Sequence, residues 1–359
     1  MRIYKIPVYI YQMLSGKKKL KISFEKVDEE KIKFSTFLLN TDFSDSENSS
    51  NQRKYEDLVS IDGIGAYAGS SAITDFFAEF NSCTSIGGVD PLENPERGII
   101  NGFEFDFFRD GHGVLALEKI CDYDSNRITE TAIRDFIKTV EYNLTVNSYF
   151  YNEYYLAQTQ KFLKNLIDFS FECEGRELQV FNKKLTKKQY REFAKEYCLS
   201  LLKNIPSERI LCLDCLLSIT NPDKEIISQY FGNTKIVTSI RDPRDVYTSA
   251  RLYPSGDIGF IPKDADLFVN YYKYFVERYD YKSNPNVLLI RFEDFVNNYN
   301  DVSEKIMSFV GLKDSEHINK FKYFNPEISK NNIGIYKNYK DQESIKIIEK
   351  ELSEYCYNI

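Results

Sequence analysis

Residues 235–253 read K-I-V-T-S-I-R-D-P-R-D-V-Y-T-S-A-R-L-Y. Four of the five residues from Ile236 to Ile240 are β-branched, the pattern of a strand buried inside a parallel sheet. The strand runs into Arg241-Asp242-Pro243-Arg244-Asp245 and then into a stretch that can be helical. Pro243 suits the first helical position, where its missing N–H costs nothing. Asp242 suits the cap of the first free N–H groups. A guanidinium therefore stands at the carboxyl end of a strand beside a helix N-terminus, the place where open α/β sheets bind anions. An ordinary strand–helix corner would use the same residues, so this stretch alone leaves both readings open.

A second strand–turn–helix lies upstream. Leu58–Ile61 reads as a buried strand, followed by Asp62-Gly63-Ile64-Gly65-Ala66-Tyr67-Ala68-Gly69-Ser70-Ser71. Ala72, Ile73, Phe76, Phe77 and Phe80 then fall on one helical face. A glycine-rich turn between strand and helix can cradle phosphate with backbone N–H groups at the helix start. It is not a Walker A loop: Ile64 stands where the first Gly is required, and Ser70 where the Lys is required. A nucleotide kinase is thereby the weakest of the phosphate-binding readings.

Composition bounds the rest. The 359 residues suffice for one large domain or two average ones, and 42% are hydrophobic. With 27 Tyr, 27 Phe and no Trp, packing is aromatic-rich. A formal charge of −7 argues against a nucleic-acid surface, so any anion site must be local. The 7 cysteines are odd in number and irregular in spacing, which fits a reducing compartment. Cys212 and Cys215 have CxxC spacing without a second Cys/His pair, and within R-I-L-C-L-D-C-L-L they read as buried apolar groups rather than metal ligands. Frequent Lys, Asn, Ile and Tyr are the usage of an AT-rich microbial genome.

Residues 1–54 read as an N-terminal extension ending in a polar loop, with neither a cleavable signal peptide nor a span of ~20 apolar residues. The start M-R-I-Y-K-I-P-V-Y-I-Y-Q-M-L, followed by Lys17, Lys18, Lys19 and Lys21, is either an element packed on the domain edge or an interfacial helix touching anionic lipid. Residues 123–205 read as amphipathic helices inserted within a single domain spanning 1–359. Arg209–Leu213 and Asn286–Ile290 read as further strands, and Asp214 as a turn residue or one facing the crevice. Val302, Ile306, Phe309 and Val310 mark a helix ending at a C′ glycine, Gly311. P-S-G-D-I-G-F-I-P-K-D after Tyr253 is a candidate lid. His317, in a polar stretch remote from any motif, reads as surface.

Taken in chain order, these segments resemble the sulfotransferases that use 3′-phosphoadenosine 5′-phosphosulfate (PAPS). Arg241-x-Pro243-x-Asp245-x-x-x-Ser249 is similar to the family's 3′-phosphate signature, in which the Arg and the Ser both contact that phosphate. A forked guanidinium plus a hydroxyl suits a dianion. Ala68-Gly69-Ser70-Ser71, continuing to Ala72, resembles the 5′-phosphosulfate loop, with Tyr67 in place of the basic residue that stabilises the leaving group. Phe103-Glu104-Phe105-Asp106-Phe107-Phe108 resembles the Lys-Glu-x-x-Phe-Phe segment of glycan sulfotransferases, which makes Glu104 the candidate base and His112 the second candidate. The same carboxylates could simply be solvated. Val287–Phe295 resembles V-L-L-x-R-Y-E-D-L, with Arg291, Glu293 and Asp294 fixing a turn. Ser329–Lys337 resembles the loop that covers the 3′-phosphate, with Lys330 as its cation and Tyr336 in place of Trp.

The resemblance implies a three-layer αβα, P-loop-like fold on a parallel sheet. It implies a metal-free transfer of the sulfuryl group from PAPS to an acceptor hydroxyl, leaving adenosine 3′,5′-bisphosphate. The expected catalytic residues are Glu104, His112 and Tyr67, and the expected cofactor residues are Ala68, Gly69, Ser70, Ser71, Ala72, Arg241, Ser249 and Lys330. A bacterial surface glycan or its precursor is the expected acceptor, with a small-molecule hydroxyl second, and the expected location is the cytoplasm, with peripheral contact at the inner membrane face as the alternative. From another class, the departure at Tyr67 fits a protein that binds adenosine 3′,5′-bisphosphate without turnover.

Overall fold

In the computed structural model of the protein, the described residues are 56–86, 117, 157–162, 165, 186–203, 207–214, 216, 230–231, 234–252, 261–277 and 284–358. The N-terminal extension, Glu104, His112, Cys215, most of 123–205 and the first seven residues of the candidate lid lie outside them.

The elements in chain order are β1 (Asp57–Gly63), α1 (Ser70–Phe77), β2 (Cys83–Ile86), α2 (Lys187–Lys203), β3 (Ile210–Asp214), β4 (Lys235–Ile240), α3 (Pro243–Leu252), α4 (Ala265–Glu277), β5 (Val287–Arg291), α5 (Phe292–Asn297), α6 (Tyr299–Val310), α7 (Pro326–Ser329) and α8 (Gln342–Glu351). They fall into two compact units. One comprises Met1–Lys54, Gly98–Pro206 and Glu225–Gly232; the other comprises Tyr55–Arg97, Ser207–Lys224 and Asn233–Ile359.

The first unit contains α2. Tyr190 on that helix donates to the Leu117 carbonyl at 2.7 Å, and the Tyr197 hydroxyl meets Thr159 Oγ1 at 2.8 Å. Phe162 stacks on Tyr197, so residues 157–162 are tied to α2 through aromatic faces and buried hydroxyls.

The second unit holds a five-stranded sheet in the order β2-β3-β1-β4-β5, with every pairing parallel. The chain moves from β1 outward to β2, returns to β3, and crosses β1 to reach β4 and β5. The strand order thus reverses at β1, and the crevice beyond its carboxyl end is where such sheets bind ligands. Val59, Ile61, Val237 and Ile290 pack against α1, α5 and α6, whereas Ile240 packs against α3, α4 and α8. Helices therefore cover both faces, and the α/β, three-layer expectation holds.

The predicted apolar face of α1 is the observed one. Phe76 and Phe77 are fully buried, and Phe80 meets Phe76 edge-to-face within the same cluster. Each such Phe stabilises the fold by about 1.5–3 kcal/mol on transfer from water. Gly311 ends α6 in the left-handed region, with its N–H on the Met307 carbonyl at 2.8 Å. Cys212 lies in the core, and burial pushes its thiol well above the usual range. β3 runs from Ile210 to Asp214, one residue later than predicted at each end, and the Arg209 side chain just before it pairs with Glu316 at 3.1 Å.

His317 is not surface. Its ring stacks on Phe80 at 4.2 Å and its Nε2 lies 2.7 Å from Glu79 Oε2. Glu79 is itself fully buried, and its other oxygen accepts the N–H groups of Tyr323 and Phe324, both at 2.9 Å. This pair fastens the segment after α6 to the end of α1.

Candidate active site

Sheet register brings the two glycine- and arginine-bearing turns together. Gly63 at the end of β1 is level with Ser239 near the end of β4, and the Ile64 N–H donates to the Ser239 carbonyl at 2.8 Å. The loop after β1 and the Arg241 corner after β4 therefore leave the same edge of the sheet side by side.

The first turn is made of backbone. Tyr67 adopts φ 62° and Gly69 φ 98° before α1 begins. A Cβ on Gly69 would lie 2.7 Å from Phe292 Cδ2, so glycine is required there both by conformation and by the ring beneath it. α1 has no side-chain cap and no acidic residue in its first turn. The N–H groups of Ser70 and Ser71 belong to the first turn, which a helix cannot satisfy internally. They carry its positive dipole end, and Ser71 is exposed. Ala68 and Ala72 are buried, so only their backbone can face a ligand.

The second turn is made of side chains. α3 starts at Pro243, and Asp242 Oδ1 accepts the Arg244 N–H at 2.8 Å, as a capping residue should. Arg244 closes on the same carboxylate, with Nη2 2.7 Å from Asp242 Oδ2. Its guanidinium also lies 4.0 Å from the Tyr336 ring and donates to Glu349 and to the Tyr357 carbonyl. Burial disfavours the charged Arg244, but the hydrogen bonds and charge of Asp242 outweigh it and hold the guanidinium above its usual range.

Arg241 is buried between these turns. Its Nη1 donates to the Tyr67 carbonyl at 3.2 Å and its Nη2 to the Asn332 carbonyl at 2.6 Å. Burial lowers its pKa against the charges of Asp245, Glu293 and Asp242. Asp245 accepts the N–H of Gly334 at 2.7 Å and of Tyr336 at 3.2 Å, so it clasps the C-terminal loop to α3. Burial raises its carboxyl above the usual value, opposed by those two N–H groups and by Arg241. Gly334 turns there at φ 74°.

Of the other expected residues, Ser249 is half-buried on α3, one turn beyond Asp245 on the same helix face. Lys330 is exposed and its Nζ meets Glu327 Oε1 at 2.7 Å. Asp214 ends β3, buried. Arg291 donates to the Tyr355 carbonyl, Glu293 accepts the Asp242 N–H at 2.7 Å, and Asp294 accepts the Tyr357 hydroxyl. Among the described residues, no three His, Cys, Asp or Glu side chains cluster as a metal site, and no helix is long and apolar enough to cross a membrane.

Residues 221–355 match the family model described as sulfotransferase domain. Over these residues the chain is similar to sulfotransferases. The matched part holds β4, the Arg241 corner, β5 and the C-terminal loop; the Tyr67–Ser71 turn lies before it. Among solved structures, the sulfotransferase domain of the Synechococcus PCC 7002 olefin synthase is 11% identical, over 86% of this chain and 97% of that one, with a TM-score of 0.40. Sulfotransferase STF9 from Mycobacterium avium is 12% identical over 90% and 79%, at 0.35. Mouse sulfotransferase SULT7A1, complexed with PAP, is 19% identical over 44% and 70%, at 0.29. No curated protein matches the chain. The fold assignment rests on strand order and register rather than on these overlaps.

Sequence reasoning missed Asn332, Phe292 and the clasp formed by Asp245. The clasp had a readable signal, since Asp245 and Gly334 both belong to motifs that resemble the family's. Asn332 acts through its carbonyl, which no residue type announces.

Proposed function

We propose that this chain transfers a sulfuryl group from PAPS to an acceptor hydroxyl. The observation that carries the reading is the juxtaposition of two anion-suited turns on adjacent strands, bridged by the Arg241 bond to the Tyr67 carbonyl. The residues fit a nucleotide with a phosphate at each end. One turn offers uncapped helix N–H groups with no competing carboxylate. The other offers a buried guanidinium whose Nε has no hydrogen-bond partner among the described residues.

In this reading Gly69, Ser70 and Ser71, flanked by Ala68 and Ala72, hold the 5′-phosphosulfate end through backbone and hydroxyl donors. Arg241, Ser249 and Lys330 hold the 3′-phosphate. PAPS supplies the activated sulfuryl group, and Glu104 takes the acceptor proton, with His112 as the second candidate. Tyr67 stands where a cation would meet the leaving group. The acceptor we favour is a surface glycan or its precursor, handled in the cytoplasm.

Calorimetry with adenosine 3′,5′-bisphosphate and with AMP tests the donor. The bisphosphate should bind at least tenfold tighter, and equal affinity would remove the 3′-phosphate argument. Transfer of ³⁵S from PAPS onto a panel of glycans and small hydroxyl compounds tests the reaction, and Glu104→Gln should abolish it while keeping nucleotide binding.

A second reading, binding without turnover, is favoured by one specific feature. The Nη1 and Nη2 donors of Arg241 are committed to the Tyr67 and Asn332 carbonyls, and Tyr67 supplies no positive charge. Tight bisphosphate binding with no ³⁵S transfer to any acceptor would select it. ATP hydrolysis with Mg²⁺ would instead point to a kinase.

A further inference from the structure

Phe292 belongs to neither turn, yet it touches both. Ile240 on β4 is level with Arg291 on β5, so Phe292 leaves β5 beside Arg241. The Arg241 guanidinium carbon lies 5.1 Å from the centre of the Phe292 ring, within cation–π range. The same ring approaches the loop after β1. An ideal Cβ on Gly69 would meet Phe292 Cδ2 at 2.7 Å and its Cβ and Cγ at 3.1 Å. β1 and β5 lie on opposite sides of β4, so this side chain, which itself leaves β5, reaches across the end of β4 to the loop beyond β1.

The backbone of Phe292 is held firmly. The next residue, Glu293, accepts the Asp242 N–H at 2.7 Å, which fixes the start of α5 against the start of α3. The ring is only 5% exposed and packs with Phe76, Phe77 and Phe295 in one core cluster. A flat, rigid group with a fixed base therefore supports the Gly69 backbone and one face of the Arg241 guanidinium.

Resting on the nucleotide reading above, we infer that Phe292 is a positioning residue that sets the spacing between the two phosphate-binding turns. Its ring fixes how closely the Gly69 loop approaches the sheet and holds the guanidinium plane towards Tyr67 and Asn332. A side chain of similar volume without a flat face would fill the core but release both groups. The inferred role concerns geometry alone; Phe292 touches no reacting atom.

The test uses the full chain and adenosine 3′,5′-bisphosphate in calorimetry, with thermal unfolding measured alongside. Phe292→Leu should weaken binding about tenfold, the scale of a lost cation–π contact plus a displaced loop. Phe292→Tyr keeps the ring and should stay within about twofold of wild type. Phe295→Leu provides the control, because Phe295 is fully buried in the same cluster and stacks on Phe324, a residue of neither turn. It should lower the unfolding temperature and leave binding unchanged. Should Phe292→Leu not fold, Phe292→Met conserves volume without the flat face and is read the same way. Wild-type affinity in the ringless variant, or an equal loss in Phe295→Leu, overturns the positioning role. A wild-type chain that binds neither the bisphosphate nor AMP removes the nucleotide site, and the positioning role with it.

Discussion

At the end of β1 the chain presents an anion-suited turn made of backbone, with no charged side chain in the first turn of α1. At the end of β4 it presents one made of buried charge, in which Arg241, Asp242, Arg244, Asp245 and Glu293 are all at most 7% exposed. The two materials fail in different ways. A backbone site depends on φ angles and close approach, so it is sensitive to a single methyl group. A site of buried charges depends on every partner being present, since an ion pair broken on one side leaves an uncompensated charge in a poor solvent for it.

That difference predicts the largest effect. Arg244→Ala strips the Asp242 carboxylate of its guanidinium while leaving it buried, and should cost about 3–5 kcal/mol of stability. Chemical denaturation measures it, and a loss below about 1 kcal/mol would show that the remaining N–H donors to Asp242 suffice. On the backbone side, Gly69→Ala places a methyl 2.7 Å from the Phe292 ring at φ 98°. Left-handed strain and overpacking together should cost about 2–4 kcal/mol. Nucleotide binding should fall with it, because the loop can only relieve the clash by lifting away from the sheet. Unchanged binding in a folded Gly69→Ala protein would place the ligand elsewhere.

Legibility in the residues alone divides along the same line. β4 and α3 are legible because a β-branched run, a proline and a capping aspartate are each local signals, and the structure starts α3 at Pro243. The α1 face is legible through its phenylalanine spacing. The contacts that escape are made by atoms that every residue has, or by partners distant in the chain. The bonds of Arg241 end on the carbonyls of Tyr67 and Asn332, so nothing in the types Tyr or Asn foretells them. His317 misleads as a surface residue because its partner Glu79 is 238 residues away. The Glu104 and His112 assignments rest on resemblance, as both lie outside the described residues.

Arg241 links the two kinds of turn, and its removal should have a double signature. Arg241→Ala should weaken adenosine 3′,5′-bisphosphate by about 1.5–3 kcal/mol, the worth of a hydrogen bond to a charged group. AMP should lose less, since it lacks the 3′-phosphate. If both ligands weaken equally, the guanidinium serves only to tie Tyr67 to Asn332, and the side-chain turn is scaffold rather than binding site.

Lys330 should show the smallest effect. Its side chain is 47% exposed and that of its partner Glu327 77% exposed, three residues apart on one turn. Such a pair contributes at most about 0.5 kcal/mol, screened further by salt. Lys330→Ala should therefore leave the unfolding midpoint almost unmoved. If Lys330 does meet the 3′-phosphate, it must first leave Glu327, so Glu327→Gln should tighten bisphosphate binding slightly while Lys330→Ala loosens it. Both changes should fade between low and physiological salt, in contrast to Arg241→Ala, whose effect comes from a buried group that salt screens poorly. A Lys330 contribution that resists salt would mean that the C-terminal loop closes over the ligand and removes the ammonium from water.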